Sequence, residues 1–148
     1  MKKKKESLSY GVIGLGRFGM ALAVTLANSG KEVIVVDKDE EKVKEMRQYT
    51  EYAFVCTNLT LESLREVGIQ NCDVVVVCIG EKVDVSILTT MSVLELKVPK
   101  VIAKATSLEQ GAVLQRIGAD VVYPERDMAL RLGKRLVSNS FVAYISLV

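Results

Sequence analysis

Short runs of β-branched residues without polar positions constrain the fold of this chain most. Val33–Val36 is one such run and Val74–Ile79 is another. A strand that lacks apolar–polar alternation is buried on both faces of its sheet. Both faces are covered when parallel strands are joined by helical crossovers. The runs therefore predict an α/β protein in which a parallel sheet lies between two layers of helices.

Strand and helix patterns alternate along the chain. The predicted strands are Tyr10–Gly14, Val33–Val36, Tyr52–Cys56, Asp73–Ile79, Lys100–Lys104 and Val121–Tyr123. The predicted helices are Phe18–Asn28, Asp39–Gln48, Leu61–Val67, Val83–Leu96, Leu108–Ile117 and Glu125–Val137. Short connections between such units favour a Rossmann-like, doubly wound, six-stranded parallel sheet with strand order 3-2-1-4-5-6. Its crevice is expected between the ends of strands 1 and 4.

Charge and composition exclude several classes of protein. The chain has 20 basic and 18 acidic residues, but four of the basic residues form the run Lys2–Lys5 and the remainder is slightly acidic. A nucleic-acid-binding protein would instead cluster basic residues on a folded face, so we expect no nucleic-acid partner. The absence of histidine removes the commonest general base and metal ligand. We predict no catalytic residue and, apart from the alternative of a metal at Glu125, no metal site.

The apolar segments and the cysteines indicate a cytoplasmic protein. No apolar run approaches the roughly 20 residues that span a bilayer, so we expect no direct membrane insertion. Cys56, Cys72 and Cys78 are odd in number and lack CxxC spacing. This pattern favours reduced, buried thiols over disulfides or a zinc site.

Gly14–Gly19 has the pattern GxGxxG, and it follows a predicted strand and opens a predicted helix. In a dinucleotide-binding turn, Gly14 would permit the tight turn, Gly16 would let a pyrophosphate approach the backbone, and Gly19 would allow close helix packing. Asp37 lies 18 residues beyond Gly19, at the end of the second strand. The context favours a nucleotide site over a βα turn without a ligand.

Asp37 could accept hydrogen bonds from both ribose hydroxyls and would repel a 2′-phosphate, which favours NAD(H) over NADP(H). Lys38 could contact a 2′-phosphate or remain in solvent. ADP and ATP share the ribose and the phosphates, so the motif leaves NAD(H), ATP and ADP open. Arg17 opposes the dipole of its helix, which indicates either an anionic ligand or a surface pairing with a carboxylate.

Other residues are expected at the same edge of the sheet. Thr57 and Asn58 could border an adenine, although Asn58 or Thr60 could instead cap the next helix. Gly80, after Ile79, would leave room for a ribose or phosphate. Lys104 could reach a phosphate or pair with Glu125. Glu125 itself could favour the helix dipole or contact a ligand or metal.

Five segments resemble the RCK (also KTN or TrkA-N) nucleotide-binding domain of potassium-transport regulators: VIGLGRFG, EVIVVD, CTNLTLESLREVGI, VVVVCIG and IGADVVYPERDMA. The resemblance covers about residues 8–140 and is greatest to gating subunits of Ktr or Trk uptake systems. It implies a regulatory subunit, not an enzyme, that binds NAD(H), ATP or ADP. It also implies a homodimer, formed through C-terminal helices, that assembles into a larger ring beneath an integral membrane potassium transporter. Such a protein would lie at the inner face of the cell membrane.

The site residues expected from the motif and this resemblance are Gly14, Leu15, Gly16, Arg17, Phe18, Gly19, Asp37, Lys38, Thr57, Asn58, Ile79, Gly80, Lys104 and Glu125. We expect a disordered basic tail at 1–8, the nucleotide-binding domain at 9–140 and the start of a crossover element at 141–148. The resemblance implies that family regulators usually continue into a second, smaller domain, and we expect none within residues 1–148. The alternative is the NAD-binding domain of a dehydrogenase or of a redox-sensing protein. Tyr123 and Lys104 lack the close spacing of a Tyr-x-x-x-Lys pair, which argues against a dehydrogenase.

Overall fold

The computed structural model describes residues 7–138 of the chain. Its strands are β1 (Ser9–Ile13), β2 (Glu32–Asp37), β3 (Ala53–Val55), β4 (Val74–Val77), β5 (Lys100–Lys104) and β6 (Asp120–Val122). Its α-helices are α1 (Arg17–Asn28), α2 (Glu40–Met46), α3 (Leu61–Glu66), α4 (Val83–Glu95), α5 (Leu108–Ile117) and α6 (Pro124–Val137). Most of the predicted tail at 1–8 and all of the predicted crossover segment at 141–148 lie outside the described residues.

The strands form one sheet in the order β3-β2-β1-β4-β5-β6, and each adjacent pair is parallel. The predicted fold class and strand order are therefore confirmed. Val12 of β1 lies beside Val35 of β2 on one side and Val76 of β4 on the other. The chain leaves β1 and β4 toward opposite edges of the sheet, which opens a crevice at their carboxyl ends.

Apolar side chains on successive strand positions enter two different cores. Val12 packs in the layer that contains Ala23 of α1 and Val43 of α2. Ile13, the next residue, packs in the opposite layer with Leu114 of α5. Because both sides of the sheet are covered, the central strands need apolar residues at consecutive positions, as the uninterrupted β-branched runs predict.

Several predicted boundaries shift by one or two residues, and two of these shifts have clear local reasons. β1 ends at Ile13 because Gly14 has a φ of +101°, outside the range of a strand. Tyr123 was predicted to end the sixth strand, but β6 ends at Val122 and Tyr123 is the N-cap of α6. Pro124 fixes a helical φ and lacks an N–H group, so it begins the helix directly after the strand.

The helix α6 differs from the others because it buries none of its side chains among the described residues. Met128, Leu130 and Leu132 are exposed along it. Across residues 7–138, none of the helices has the length and apolar character needed to cross a bilayer.

Candidate functional site

The turn after β1 is a tight backbone crossing. The Gly14 N–H donates to the Val36 carbonyl at 2.8 Å. A Cβ on Gly14 would lie 3.0 Å from the Cys78 carbonyl carbon and oxygen, and the φ of +101° also disfavours a side chain. Gly14 therefore lets the chain turn between β2 and β4.

Gly19 and Gly16 differ in what surrounds their backbone. A Cβ on Gly19 would overlap the Gly14 carbonyl oxygen, so Gly19 allows α1 to pack against the turn. A Cβ on Gly16 would meet nothing within 4 Å, and its φ of −70° suits any residue. Nothing within the described protein thus requires glycine at position 16. The surface of Gly16 instead faces open space in a cleft.

The N-terminus of α1 has no side-chain cap and no acidic residue in its first turn. The first N–H groups of a helix have no partner within the helix and carry a partial positive charge. By contrast, α2 is capped by Asp39, α3 by Thr60 and α5 by Ser107, and the uncapped α4 and α6 have acidic residues in their first turns. The end of α1 beside Gly16 can therefore accept an anion from the cleft.

Asp37 joins the glycine turn to the turn after β2. Its Oδ1 accepts from the Leu15 N–H at 2.7 Å, and its Oδ2 accepts from the Asp39 N–H at 2.8 Å. Each carboxylate oxygen has a second lone pair, so both can still accept from another donor. Asp37 is thus a support for the turn as well as a potential ribose acceptor.

A cleft of about 1490 Å³ runs along the carboxyl ends of the strands. It is lined by all the predicted site residues except Gly19, which is buried beneath the turn: Gly14, Leu15, Gly16, Arg17, Phe18, Asp37, Lys38, Thr57, Asn58, Ile79, Gly80, Lys104 and Glu125. The tertiary structure therefore brings residues from β1 through α6 to one surface.

The cleft concentrates positive charge, although the chain as a whole is nearly balanced. Its cationic lining residues are Arg17, Lys38, Lys42, Lys82, Lys104 and Arg126. Its acidic lining residues are Asp37, Glu81 and Glu125. Within residues 7–138, ion pairs join Lys100 to Asp120 and Arg126 to Asp127, so neither Arg17 nor Lys104 is neutralised by an ion pair. Such a surface attracts an anionic ligand.

Lys104 lines the cleft and contacts an aromatic ring of the glycine turn. Its Nζ is 6.0 Å from the centre of the Phe18 ring, a cation–π distance. A Cβ on Gly80 would lie 3.0 Å from the same Nζ. The Lys104 ammonium therefore lies beside Gly80 in the cleft. In the described chain Lys104 forms no ion pair with Glu125.

At the end of β3, the structure assigns the cap of α3 to Thr60, which also lines the cleft. The Thr60 hydroxyl accepts from the Ser63 N–H at 3.1 Å, and the Ser63 hydroxyl accepts from the Thr60 N–H at 3.0 Å. This reciprocal pair caps α3. Thr57 and Asn58 are exposed and line the cleft.

The predicted site omitted one aromatic and cationic pair on the β6 side. Tyr123 and Arg126 line the cleft, and the Arg126 guanidinium lies 4.1 Å from the centre of the Tyr123 ring. The Tyr123 hydroxyl occupies the position that a Cβ on Gly111 would take. The spacing of three residues across a helix start is a signal for this pair, but the role of Gly111 depends on packing between α5 and Tyr123.

Cys56, Cys72 and Cys78 are free and buried, as predicted. Burial raises the pKa of Cys78 to about 12, and the nearby Lys104 ammonium only partly opposes that shift. Burial also raises the pKa of Cys56, and Glu66 adds to the effect. Both cleft cysteines therefore remain protonated near neutral pH and act as small apolar side chains.

The TrkA-N domain family model matches residues 10–124 of the chain. The chain belongs to the TrkA-N domain family. Ktr system potassium uptake protein C of Bacillus subtilis (strain 168) is 41% identical to this TrkA-N domain over 145 residues, 97% of this chain and 64% of the relative. The chain thus spans less than two thirds of that relative's length.

Solved structures share the fold of this TrkA-N domain. The GsuK channel bound to NAD matches it with a TM-score of 0.78 and 24% identity, covering 98% of this chain and 26% of the channel chain. GsuK bound to ADP matches with a TM-score of 0.70 and 26% identity, covering 88% of this chain and 34% of the other.

Proposed function

We propose that this TrkA-N domain binds an adenine nucleotide, with its phosphates at the N-terminus of α1 and a ribose at Asp37. Gly16 carries the proposal. Its backbone needs no glycine and its missing side chain leaves empty space beside uncapped N–H groups. A glycine that the protein itself does not need is explained by close approach of a ligand to the backbone.

The charge of the cleft supports the same proposal. The exposed Arg17 lies at the start of α1, where a cation opposes the helix dipole. A diphosphate between Arg17 and the first N–H groups of α1 would balance both positive charges. Asp37, held in place by the N–H groups of Leu15 and Asp39, still has lone pairs that can accept from other donors such as ribose hydroxyls.

NAD(H), ATP and ADP are the candidate ligands. All three share the adenosine diphosphate portion that this half of the cleft would hold. The structures of GsuK, a protein of the same fold, contain NAD in one case and ADP in another. The carboxylate of Asp37 disfavours the additional 2′-phosphate of NADP(H).

We further propose that the nucleotide regulates a membrane potassium transporter. The proposal rests on the similarity to a Ktr system potassium uptake protein. The exposed apolar residues Met128, Leu130 and Leu132 of α6 support assembly as a homodimer, and the ring is proposed on the family resemblance. The subunit would act from the cytoplasmic side and perform no chemical reaction on its nucleotide.

Calorimetric titration of the wild type with NAD⁺, NADH, ATP and ADP tests the binding proposal, together with Gly16→Val. We expect the variant to keep its unfolding free energy within about 1 kcal/mol and to lose more than about tenfold in affinity. Gly133→Val is the matched control, because Gly133 is also open but lies on α6 outside the cleft. Unchanged affinity in Gly16→Val would contradict the proposal.

Potassium flux into vesicles that contain the membrane subunit of a Ktr-type transporter tests the regulatory proposal. The wild-type protein should change the flux in response to a nucleotide, and Gly16→Val should not. Consumption of NADH with a panel of ketones would instead support the dehydrogenase alternative.

A further inference from the structure

Every fully buried polar side chain of residues 7–138 lies on α4 or α5. These residues are Ser86, Thr89, Thr90 and Gln110, each no more than 2% exposed. Burying polar groups costs free energy unless they are hydrogen-bonded. Their concentration between two helices that border the cleft therefore calls for a structural explanation.

Gln110 connects three segments through one amide. Its Oε1 accepts from the Thr106 N–H at 2.9 Å and from the Thr106 hydroxyl at 3.2 Å. Its Nε2 donates to the Ser86 hydroxyl at 3.2 Å. A backbone N–H can only donate, so the amide oxygen must face Thr106 and the amide nitrogen must face Ser86. The orientation of the side chain is thus determined by its partners.

Capping of α5 explains only part of this arrangement. Ser107 and Gln110 have the spacing of a capping box, and the Ser107 hydroxyl already accepts from the Gln110 N–H at 3.1 Å. In an ordinary capping box the Gln side chain bonds the N-cap N–H. Here it bonds the residue before the N-cap and also a different helix. A cap for α5 alone would not need the bond to Ser86.

The two segments joined by Gln110 are the walls of one half of the cleft. Lys104, Thr106 and Ser107 line it from the end of β5. Lys82 and Val85 line it from the start of α4, directly before Ser86. The turn at Gly14–Gly19 and Asp37 lie over β1 and β2, in the other half. A dinucleotide bound across the crevice would place its second nucleoside between the Gln110-linked walls.

We propose that Gln110 is a positioning residue that holds these walls at the separation needed by the second nucleoside of a dinucleotide. The inference rests on the proposed function. It predicts that removing the Gln110 amide lowers the affinity for NAD⁺ but not the affinity for AMP. AMP would occupy only the half of the cleft over β1 and β2. Gln110 need not touch either ligand, since it acts through Thr106 and Ser86.

Calorimetric titration with NAD⁺ and AMP tests the assignment in the wild type and in Gln110→Met, which keeps the side-chain length but removes the amide. We expect about a tenfold loss of NAD⁺ affinity and at most about a twofold change for AMP. Ser86→Ala removes only the acceptor of Nε2 and should show the same selective loss, to a smaller degree. If Gln110→Met does not fold, Ser86→Ala decides.

Thr90→Val is the matched control. Its hydroxyl is equally buried but bonds only the Ser86 carbonyl within the same helix. We expect this variant to lose stability without a change in the ratio of NAD⁺ to AMP affinity. Equal losses for both ligands in Gln110→Met and Ser86→Ala, or no loss for NAD⁺, would overturn the assignment. A wild type that binds neither ligand would overturn the proposed function instead.

Discussion

The two halves of the cleft are constructed differently. Over β1 and β2 the wall at the glycine turn is backbone: Gly16 is open and the Leu15 N–H is held by Asp37. Over β4 and β5 the wall consists of side chains, with Lys104 above Gly80 and Gln110 behind Thr106. A backbone wall moves only if the chain moves, whereas a side-chain wall can change by rotamer. We infer that the half over β1 and β2 suits the adenosine diphosphate portion that NAD(H), ATP and ADP share. The half over β4 and β5 suits the portion in which these ligands differ.

Gly19→Ala should have the largest effect, because it tests the rigidity of the backbone half. The new Cβ would overlap the Gly14 carbonyl oxygen, which cannot move without the turn. We expect a loss of about 3 kcal/mol in unfolding free energy, measured by urea denaturation. Gly16→Ala is the control and should be nearly neutral. A loss below about 1 kcal/mol for Gly19→Ala would show that the turn can adjust.

Asp37→Ala should lower nucleotide affinity by about 1 to 3 kcal/mol, because it removes charged acceptors from the ribose. It also frees the Leu15 N–H, so the turn itself should loosen. Calorimetry with ADP measures the affinity. Asp39→Ala is the control. It removes the side-chain cap of α2 but keeps the backbone N–H that donates to Asp37. Unchanged affinity in Asp37→Ala would exclude Asp37 from the site.

The pH dependence of the unfolding free energy tests whether water reaches Cys78, at the base of the half of the cleft over β4 and β5. Because burial raises the pKa of Cys78 to about 12 from 9.0, the folded thiol keeps its proton after the unfolded thiol has lost it. The stability that the buried, protonated thiol contributes is fully present below about pH 9 and is lost progressively up to about pH 12. Between about pH 8 and 10 the wild type should lose about 1 to 2 kcal/mol relative to Cys78→Ala. If the unfolding free energies of the two proteins, measured by urea denaturation, change equally over this range, the thiol is hydrated.

Gly111→Ala should have the smallest effect and sharpens the contrast with Gly19→Ala. Both new Cβ atoms would overlap a neighbour, but at Gly111 the neighbour is the Tyr123 side chain. The whole Tyr123 side chain can shift about χ1 because it is the flexible end of the contact, and alanine favours a helix over glycine by about 1 kcal/mol. We expect a net change below about 1 kcal/mol in urea denaturation. A loss as large as that of Gly19→Ala would show that the second half is equally rigid.

The backbone half of the cleft could be predicted from the sequence because its determinants are local or follow from strand order. Gly14, Gly16 and Gly19 occupy fixed positions in one turn, and Asp37 ends the adjacent parallel strand. The sequence does not decide which residue caps α3, because Asn58 and Thr60 both have suitable side chains. Only the geometry of Ser63 assigned the cap to Thr60.

The sequence by itself determined the doubly wound sheet, since β-branched runs and helix stops recur in a regular order along the chain. It also determined the glycine turn and the acidic residue beside it. The tertiary structure alone decided that Lys104 covers Gly80 and that Gln110 bonds Ser86, 24 residues away. A hydrogen bond or cation–π contact depends on separations of a few ångströms between side chains of different elements. Those separations are set by how the helices pack on the sheet, and no pattern along the chain encodes them directly.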